Sequence, residues 1–238
     1  MILSRLLRSR FLLLLFCGLF PLAALADPLS GFRAEYEITA SGLPVGWMEV
    51  RLERDGGMYR YVKTTEPRGL LALVRDDHMR ELSEGRIEEG LPVPEHYLYL
   101  HERDKGNRRD EFRVEEGQIR GAYKDRDYEL VVPGEFYDRA AMELVLMVAM
   151  AEDRREAEIP LVDRGEFETY RFRTMKEETV EVPAGEFRAI KLTVVRKDEE
   201  RQTRIWLAPE LDYRPVRIVH RESPEERALF SELVKFRD

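Results

Sequence analysis

The most regular feature of the sequence is the alternation of apolar and polar residues over short segments. Between Phe32 and Ala40, every second residue is apolar and the residues between them are charged or polar. This period of two predicts a β-strand with one face in the core and the other in water. Segments of this kind recur at short spacing. About fourteen strands are predicted: 32–40, 46–52, 58–63, 77–82, 95–103, 108–114, 118–123, 128–132, 166–174, 179–182, 186–196, 203–208, 215–221 and 230–236.

The connections between these segments are short and carry turn residues such as Asp55-Gly56-Gly57 and Glu84-Gly85. Glycine accepts the positive φ that tight hairpins require, and strands joined by hairpins are antiparallel. So many short strands suit a barrel, half-barrel or sandwich. The predicted fold class is mostly β: an antiparallel, strongly curved sheet forming a barrel or half-barrel.

One segment, Asp138–Ala151, breaks the β pattern. Asp138 is a good helix cap, and Ala140 to Ala151 are apolar except for Glu143. We expect a buried apolar helix that plugs or covers the curved sheet, too short to cross a bilayer. A second apolar stretch, 69–74, is either a short helix or an apolar loop.

The N-terminus has the composition of an export signal. A basic start precedes an apolar run from Phe11 to Phe20, and Ala24-Leu25-Ala26 has the small residues a signal peptidase needs. We predict a signal peptide at 1–26, cleaved after Ala26. The mature chain is then a single all-β periplasmic domain, 27–238, without a transmembrane span.

Charge and cysteine content exclude several classes of function. The formal net charge is −8, and losing the signal arginines makes it more negative, so nucleic acid is not a predicted partner. The one cysteine, Cys17, lies inside the signal, which leaves no thiol for a disulfide, a thiolate metal site or a nucleophile. Phe16 stands where lipidation of Cys17 requires a small residue.

The sequence contains no standard catalytic motif. The best polar cluster is Asp76, Asp77 and His78, because a carboxylate beside an imidazole can orient a base or bind a metal. A solvated loop or strand edge explains the cluster better. No cofactor and no metal site are predicted.

Aromatic and apolar side chains are the other candidate site. On a concave sheet face, rings and a nearby helix would suit an acyl chain or a sugar, although ordinary core packing is the favoured explanation. The candidate ligand-lining residues are Trp47, Tyr59, Tyr61, Tyr97, Tyr99, Leu144 and Met147.

Arg103, Lys105, Arg108 and Arg109 form a basic patch at a predicted hairpin tip. The patch offers a contact to an anionic headgroup or a partner, but a charged turn is the simpler interpretation.

Longer motifs carry a family resemblance. The turn and strand at 182–192, the segment Ile205-Trp206-Leu207-Ala208 and the segment 213–218 occur with Phe32-x-Ala34-x-Tyr36 near the predicted mature N-terminus. Together they resemble the DUF3108 family of exported bacterial proteins of unknown function. Some segments are also similar to periplasmic lipoprotein-carrier and outer-membrane lipoprotein-sorting proteins, in which a curved antiparallel sheet wraps around helices and holds acyl chains. The resemblance brings no catalytic residues.

Three functional hypotheses follow. The first is a periplasmic, non-catalytic binding or carrier protein for an apolar or lipid-like ligand. The second is a structural or interaction module that binds envelope proteins and no ligand. The third, least favoured, is a hydrolase that uses Asp76, Asp77 and His78.

Overall fold

The computed structural model describes residues 27–69, 72, 77–103, 106–132, 134–195, 202–223 and 225–238. In these ranges the chain forms fourteen β-strands and one long helix, α1 (Arg139–Ala151). The strands are β1 (Phe32–Ala40), β2 (Leu43–Asp55), β3 (Met58–Pro67), β4 (His78–Glu88), β5 (Leu91–Glu102), β6 (Arg108–Glu115), β7 (Gln118–Tyr123), β8 (Arg126–Val131), β9 (Glu156–Asp163), β10 (Glu166–Val182), β11 (Gly185–Val195), β12 (Gln202–Ala208), β13 (Arg214–Arg221) and β14 (Leu229–Arg237).

All fourteen strands belong to one antiparallel sheet made of two meanders. The first meander contains β1 to β8 and the second contains β9 to β14. Pairing of β1 with β14 joins the two meanders in the middle of the sheet, and β8 and β9 are its edges. The sheet curves around α1 without closing. The predicted fold class, a curved antiparallel sheet of barrel or half-barrel type with a buried helix, is confirmed.

The buried helix is held between two apolar clusters. Leu144 and Met147 belong to an apolar cluster with side chains from both meanders, whereas Val145 and Leu146 belong to a cluster with side chains of β9 to β12. Nine of the thirteen residues of α1 are buried. Each large apolar side chain removed from water stabilises the fold by roughly 1.5–3 kcal/mol, which explains why so apolar a helix lies inside the sheet.

Two short contacts join the edge strand β9 and the turn after it to other parts of the fold. Tyr137, just before α1, forms an isolated parallel bridge with Leu161 of β9. In the turn after β9, the backbone N–H of Arg164 donates to Asp110 Oδ2 of β6 at 3.0 Å. One bridge and one hydrogen bond between backbone and side chain therefore link β9 and its turn to the segment before α1 and to β6.

The count of fourteen strands is right for partly wrong reasons. The strand β9 was not predicted, because Pro160 interrupts its alternating pattern. Within a sheet, proline is confined mainly to edge strands, and β9 is an edge strand. The predicted strands 166–174 and 179–182 are a single strand, β10, with a bulge between Thr174 and Lys176. These two errors cancel.

The predicted turn at Glu84-Gly85 is also wrong. Residue 85 lies inside β4, beside a bulge, and the chain reverses at Glu89 and Gly90, which have φ of 51° and 81°. At this bulge the neighbouring backbone comes so close that only glycine fits. In the sequence alone, a glycine at such a position is indistinguishable from a turn glycine.

Gly85→Ala is therefore expected to lower the free energy of unfolding by about 1–3 kcal/mol. An added Cβ would lie 2.0 Å from the carbonyl oxygen of Val93. Gly57→Ala is the matched control, because no atom lies within 4 Å of its Cβ position. Urea unfolding of both variants checks this, and equal stability of the two would contradict the close approach.

The apolar stretch predicted at 69–74 falls mostly on residues outside the described ranges. The predicted signal peptide, 1–26, lies entirely outside them. Among the described residues, α1 and the shorter helical turns lack the length and apolar run needed to cross a bilayer.

Candidate functional site

A row of polar side chains crosses the inner face of the first meander. Lys63 of β3, Glu81 of β4, Tyr99 of β5, Asp110 of β6 and Tyr123 of β7 lie directly opposite one another in register. Directly opposite residues in a sheet share a face, so their side chains are neighbours. We call these five residues the polar row.

Glu143 of α1 meets the polar row at Lys63. The Lys63 Nζ lies 2.9 Å from Glu81 Oε2 and 2.5 Å from Glu143 Oε1, and the Tyr61 hydroxyl donates to Glu143 Oε2 at 2.9 Å. The three charged side chains are 15–16% exposed. Burial disfavours the charge of Glu81, but Lys63 and Arg139 outweigh it and lower its pKa to about 2.

Arg139, the first residue of α1, extends this network. Its Nε and Nη2 donate to the Tyr97 hydroxyl at 3.0 and 2.8 Å, and that hydroxyl donates to Glu81 Oε1 at 2.8 Å. Arg139 also lies 3.4 Å from Glu81 and 3.6 Å from Asp163. The start of the helix is therefore fixed to three strands by charged and phenolic groups.

Asp138 caps the helix in the interior. Its Oδ1 accepts from the backbone N–H groups of Ala140 and Ala141, and its Oδ2 accepts from the Ser83 hydroxyl at 2.6 Å. Tyr59 hydrogen-bonds to Ser83 in turn. Burial raises the pKa of Asp138 to about 7, although these hydrogen bonds oppose the shift.

The Asp138 carboxyl is expected to make the protein less stable as the pH rises from about 4 to about 7. The folded state holds the proton more strongly than the unfolded chain, whose aspartate pKa is about 3.9, so ionisation costs stability in this window. At 1.36 kcal/mol per pKa unit, the cost is about 4 kcal/mol.

Asp138→Asn should abolish this loss while keeping the cap, because asparagine also accepts from backbone N–H groups. Asp138→Ala should abolish it too, but lose about 1 kcal/mol of capping at every pH. Urea unfolding at pH 4, 5.5 and 7 measures both effects. Parallel stability curves for the wild type and Asp138→Asn would show that Asp138 does not titrate in this range.

A polar cavity of about 240 Å³ opens at the end of the sheet where β5 ends and β6 begins, and we call it the mouth cavity. Its walls come from β5, β6, β7, α1, the turn after β9, and the end of β13. The lining residues are Tyr99, Arg108, Asp110, Tyr123, Arg139, Arg164, His220 and Glu222. The site thus combines both meanders and the start of the helix.

A second, shallower cavity of about 710 Å³ lies beside the bulge in β4. Its charged side chains include Arg60, Glu84, His96 and Arg113, which oppose one another across β3 to β6. His96 bonds Glu84 at 3.0 Å and Glu111 at 3.1 Å, and Arg60 also bonds Glu84. These groups pair mainly with one another, so this groove is the weaker candidate.

The predicted ligand-lining residues separate into three locations. Tyr99 lines the mouth cavity. Trp47 lies on the opposite parity from the buried Val50 and Leu52, with the Arg68 guanidinium 3.9 Å from its ring centroid. The remaining five are buried in the interior: Tyr59, Tyr61, Tyr97, Leu144 and Met147.

The predicted polar cluster is described only in part. Asp76 lies outside the described residues, and Asp77 and His78 are partly exposed at the start of β4. Among the residues that the structure places, no group of three or more His, Cys, Asp or Glu side chains could hold a metal ion.

Sequence reasoning missed most of the charged network. Lys63, Glu81, Arg139 and Arg164 look like ordinary surface residues because each follows a local polar pattern. Glu143 was the available indicator, since a lone carboxylate in a buried apolar helix requires a partner.

The fold is similar to that of the crystal structure of a beta-barrel-like protein of domain of unknown function DUF1849 from Brucella abortus. The TM-score is 0.58 at 12% sequence identity, covering 87% of this chain and 97% of that chain. At that identity, the likeness concerns the fold alone.

Two other crystal structures match more distantly. One is a protein with a YmcC-like fold from Bacteroides fragilis, provisionally described as exported, with 12% identity, a TM-score of 0.31 and coverage of 87% and 94%. The other, provisionally described as a lipoprotein, is from Parabacteroides distasonis, with 10% identity, a TM-score of 0.31 and coverage of 87% and 95%.

No protein with a curated description matches the chain. The model of the family described as "Protein of unknown function (DUF3108)" matches residues 35–224.

Proposed function

Because the chain belongs to the DUF3108 family of proteins of unknown function, its own geometry is the best guide to its role, and we propose that it is a non-catalytic binding or carrier protein of the cell envelope. In this proposal, residues 1–26 are an export signal cleaved after Ala26, and 27–238 form one periplasmic domain.

The observation that carries the proposal is the mouth cavity. Six separate parts of the chain converge on it, including β13 from the second meander and Arg139 from α1. Convergent polar groups in a concave site are typical of ligand binding. Its carboxylates are held within the protein: Asp110 accepts from Tyr128 and Arg164, and Glu222 lies 3.0 Å from His220. These contacts favour binding over acid–base catalysis.

The packing of α1 argues that the ligand stays in the mouth. To reach the position of Leu144 and Met147, a ligand would have to displace the helix and expose its buried Leu, Val and Met side chains. At roughly 1.5–3 kcal/mol each, this would cost on the order of 10 kcal/mol. An acyl chain in that position would also lie against the charged groups of the polar row, which is unfavourable because it would remove them from water.

Exposed apolar side chains at the end of β1 offer a binding surface for the apolar part of a lipid-like ligand. Leu43 and Leu229 both lie opposite Ala40, where β1 ends, and they are 64% and 41% exposed. β1 ends at the same end of the sheet as β5. We propose that the head of the ligand binds in the mouth cavity and that any apolar tail lies along these side chains.

The test is to purify the protein from its native envelope and identify small molecules by native mass spectrometry and organic extraction. We expect a co-purifying molecule in the wild type and in the control Glu158→Trp on the edge strand β9. Glu222→Trp, which places a bulky ring at the rim, should lose that molecule. Protein that is repeatedly empty would refute the binding role, and a stable crosslinked envelope protein would replace it with the interaction-module hypothesis.

The intact mass of the same sample tests export. A mature chain beginning at Asp27 is expected, and a chain that retains residues 1–26 would contradict cleavage after Ala26.

A further inference from the structure

We propose that the mouth cavity binds an oxyanion, either a carboxylate or a phosphate, and that Arg108, Arg164 and Arg139 are its binding residues. This inference rests on the proposed function and deepens it by naming the chemical class of the group that enters the site.

The guanidinium of Arg108 lines the cavity without a protein partner among the described residues. Among the described residues it has no hydrogen-bond or ion-pair partner, and its Nε is buried without one. A guanidinium has five N–H donors and no acceptor, so this side chain needs acceptors that the described part of the chain does not supply. It lines the mouth cavity at the start of β6.

Arg164 and Arg139 are only partly satisfied by the protein. Within the described ranges, the guanidinium of Arg164 has one distant ion pair, 3.8 Å from Asp163, and its side chain is 39% exposed. The contacts of Arg139 with Tyr97, Glu81 and Asp163 use Nε and Nη2. In the described part of the chain, its Nη1 has no such contact.

The two carboxylates that line the cavity are already engaged. Asp110 accepts a hydrogen bond on each carboxylate oxygen, 3.3 Å from the Tyr128 hydroxyl and 3.0 Å from the Arg164 backbone N–H. Glu222 is paired with His220. The cavity therefore presents more free donors than free acceptors. Planar guanidinium groups match carboxylate and phosphate oxygens in bidentate geometry, which makes an oxyanion the fitting ligand group.

The volume limits the size of the group. A cavity of about 240 Å³ is smaller than the roughly 300–1,000 Å³ pockets that take drug-sized ligands. That space suits a phosphate, a carboxylate or a small headgroup, and it excludes a whole lipid. Free small anions and lipid headgroups share this chemistry, so the experiment must separate the two sources.

Isothermal titration calorimetry of the mature protein tests the inference with three probes at constant ionic strength: inorganic phosphate, acetate, and monomeric dihexanoyl phosphatidic acid. Arg108→Gln and Arg164→Gln should each weaken binding about tenfold, equivalent to about 1.4 kcal/mol. The control Arg171→Gln removes an exposed arginine of β10, which is 67% exposed and paired with Glu158, and should leave affinity unchanged. Because Arg108 loses no partner among the residues that the structure places, its variant should keep the wild-type melting temperature.

Each outcome decides between the alternatives. Binding of phosphate or acetate supports a small free anion, whereas binding of the phosphatidic acid alone supports a lipid headgroup. No binding of any probe at millimolar concentration, or equal affinity in all three variants, would overturn the inference. If the molecule that co-purifies from the envelope has no oxyanion, the binding role stands and the assignment of its chemistry falls.

Discussion

Lys63→Met is expected to lower the free energy of unfolding by about 3–5 kcal/mol, the usual cost of removing one partner from a buried ion pair. The amine of Lys63 lies between Glu81 and Glu143, and without it the two carboxylates share one buried space. Glu81 retains Arg139, but among the described residues Glu143 retains only the hydrogen bond from Tyr61. The main loss therefore comes from an uncompensated charge on α1.

A double-mutant cycle with Glu143→Gln separates this charge effect from lost packing. Glutamine still accepts from the Tyr61 hydroxyl but carries no charge, so the variant with both substitutions should recover a large part of the stability lost by Lys63→Met. Urea unfolding at pH 7 gives the four free energies. Additive losses in the cycle would show that Lys63 and Glu143 do not interact energetically.

The same network fixes the direction of acid sensitivity. Since the folded protein holds the pKa of Glu81 at about 2, the stability supplied by this carboxylate is fully present above about pH 4.5 and is lost as the pH falls towards 2. Lys63→Met removes one of the charges that lower this pKa. The acid-induced loss attributable to Glu81 should therefore be smaller in the variant.

The parts of the fold that the sequence predicts are those governed by local periodicity. The alternation from Phe32 to Ala40 reports which side chains face the core, because that information repeats every two residues in one strand. The unbroken apolar run after Asp138 likewise reports a buried helix. Neither inference requires knowledge of a partner element.

The parts that escaped prediction depend on neighbours distant in sequence. Gly85 is explained by the Val93 carbonyl across a bulge, and a local pattern cannot distinguish this close approach from a turn. The polar row exists only once five strands have their register. Arg108 was noticed in a basic hairpin, but Arg139 and Arg164 join it only because α1 and the turn after β9 meet the first meander.

Leu144→Ala is the second large expected effect, with a loss of about 2.7–5 kcal/mol in the free energy of unfolding. Leu144 is fully buried in an apolar cluster with side chains from both meanders, so truncation removes apolar contacts and leaves a cavity that the close-packed surroundings cannot fully fill. Leu43→Ala, the same change at a side chain that is 64% exposed, should cost less than about 0.5 kcal/mol.

This variant also tests where the ligand lies. If the ligand stays in the mouth cavity, Leu144→Ala should bind inorganic phosphate with wild-type affinity at temperatures where it remains folded, because none of the cavity's lining residues has changed. If the ligand instead passes beneath α1, a new void there should change the affinity for dihexanoyl phosphatidic acid severalfold while that of phosphate stays constant. Such a split would place the apolar tail in the interior and would contradict the helix as a fixed plug.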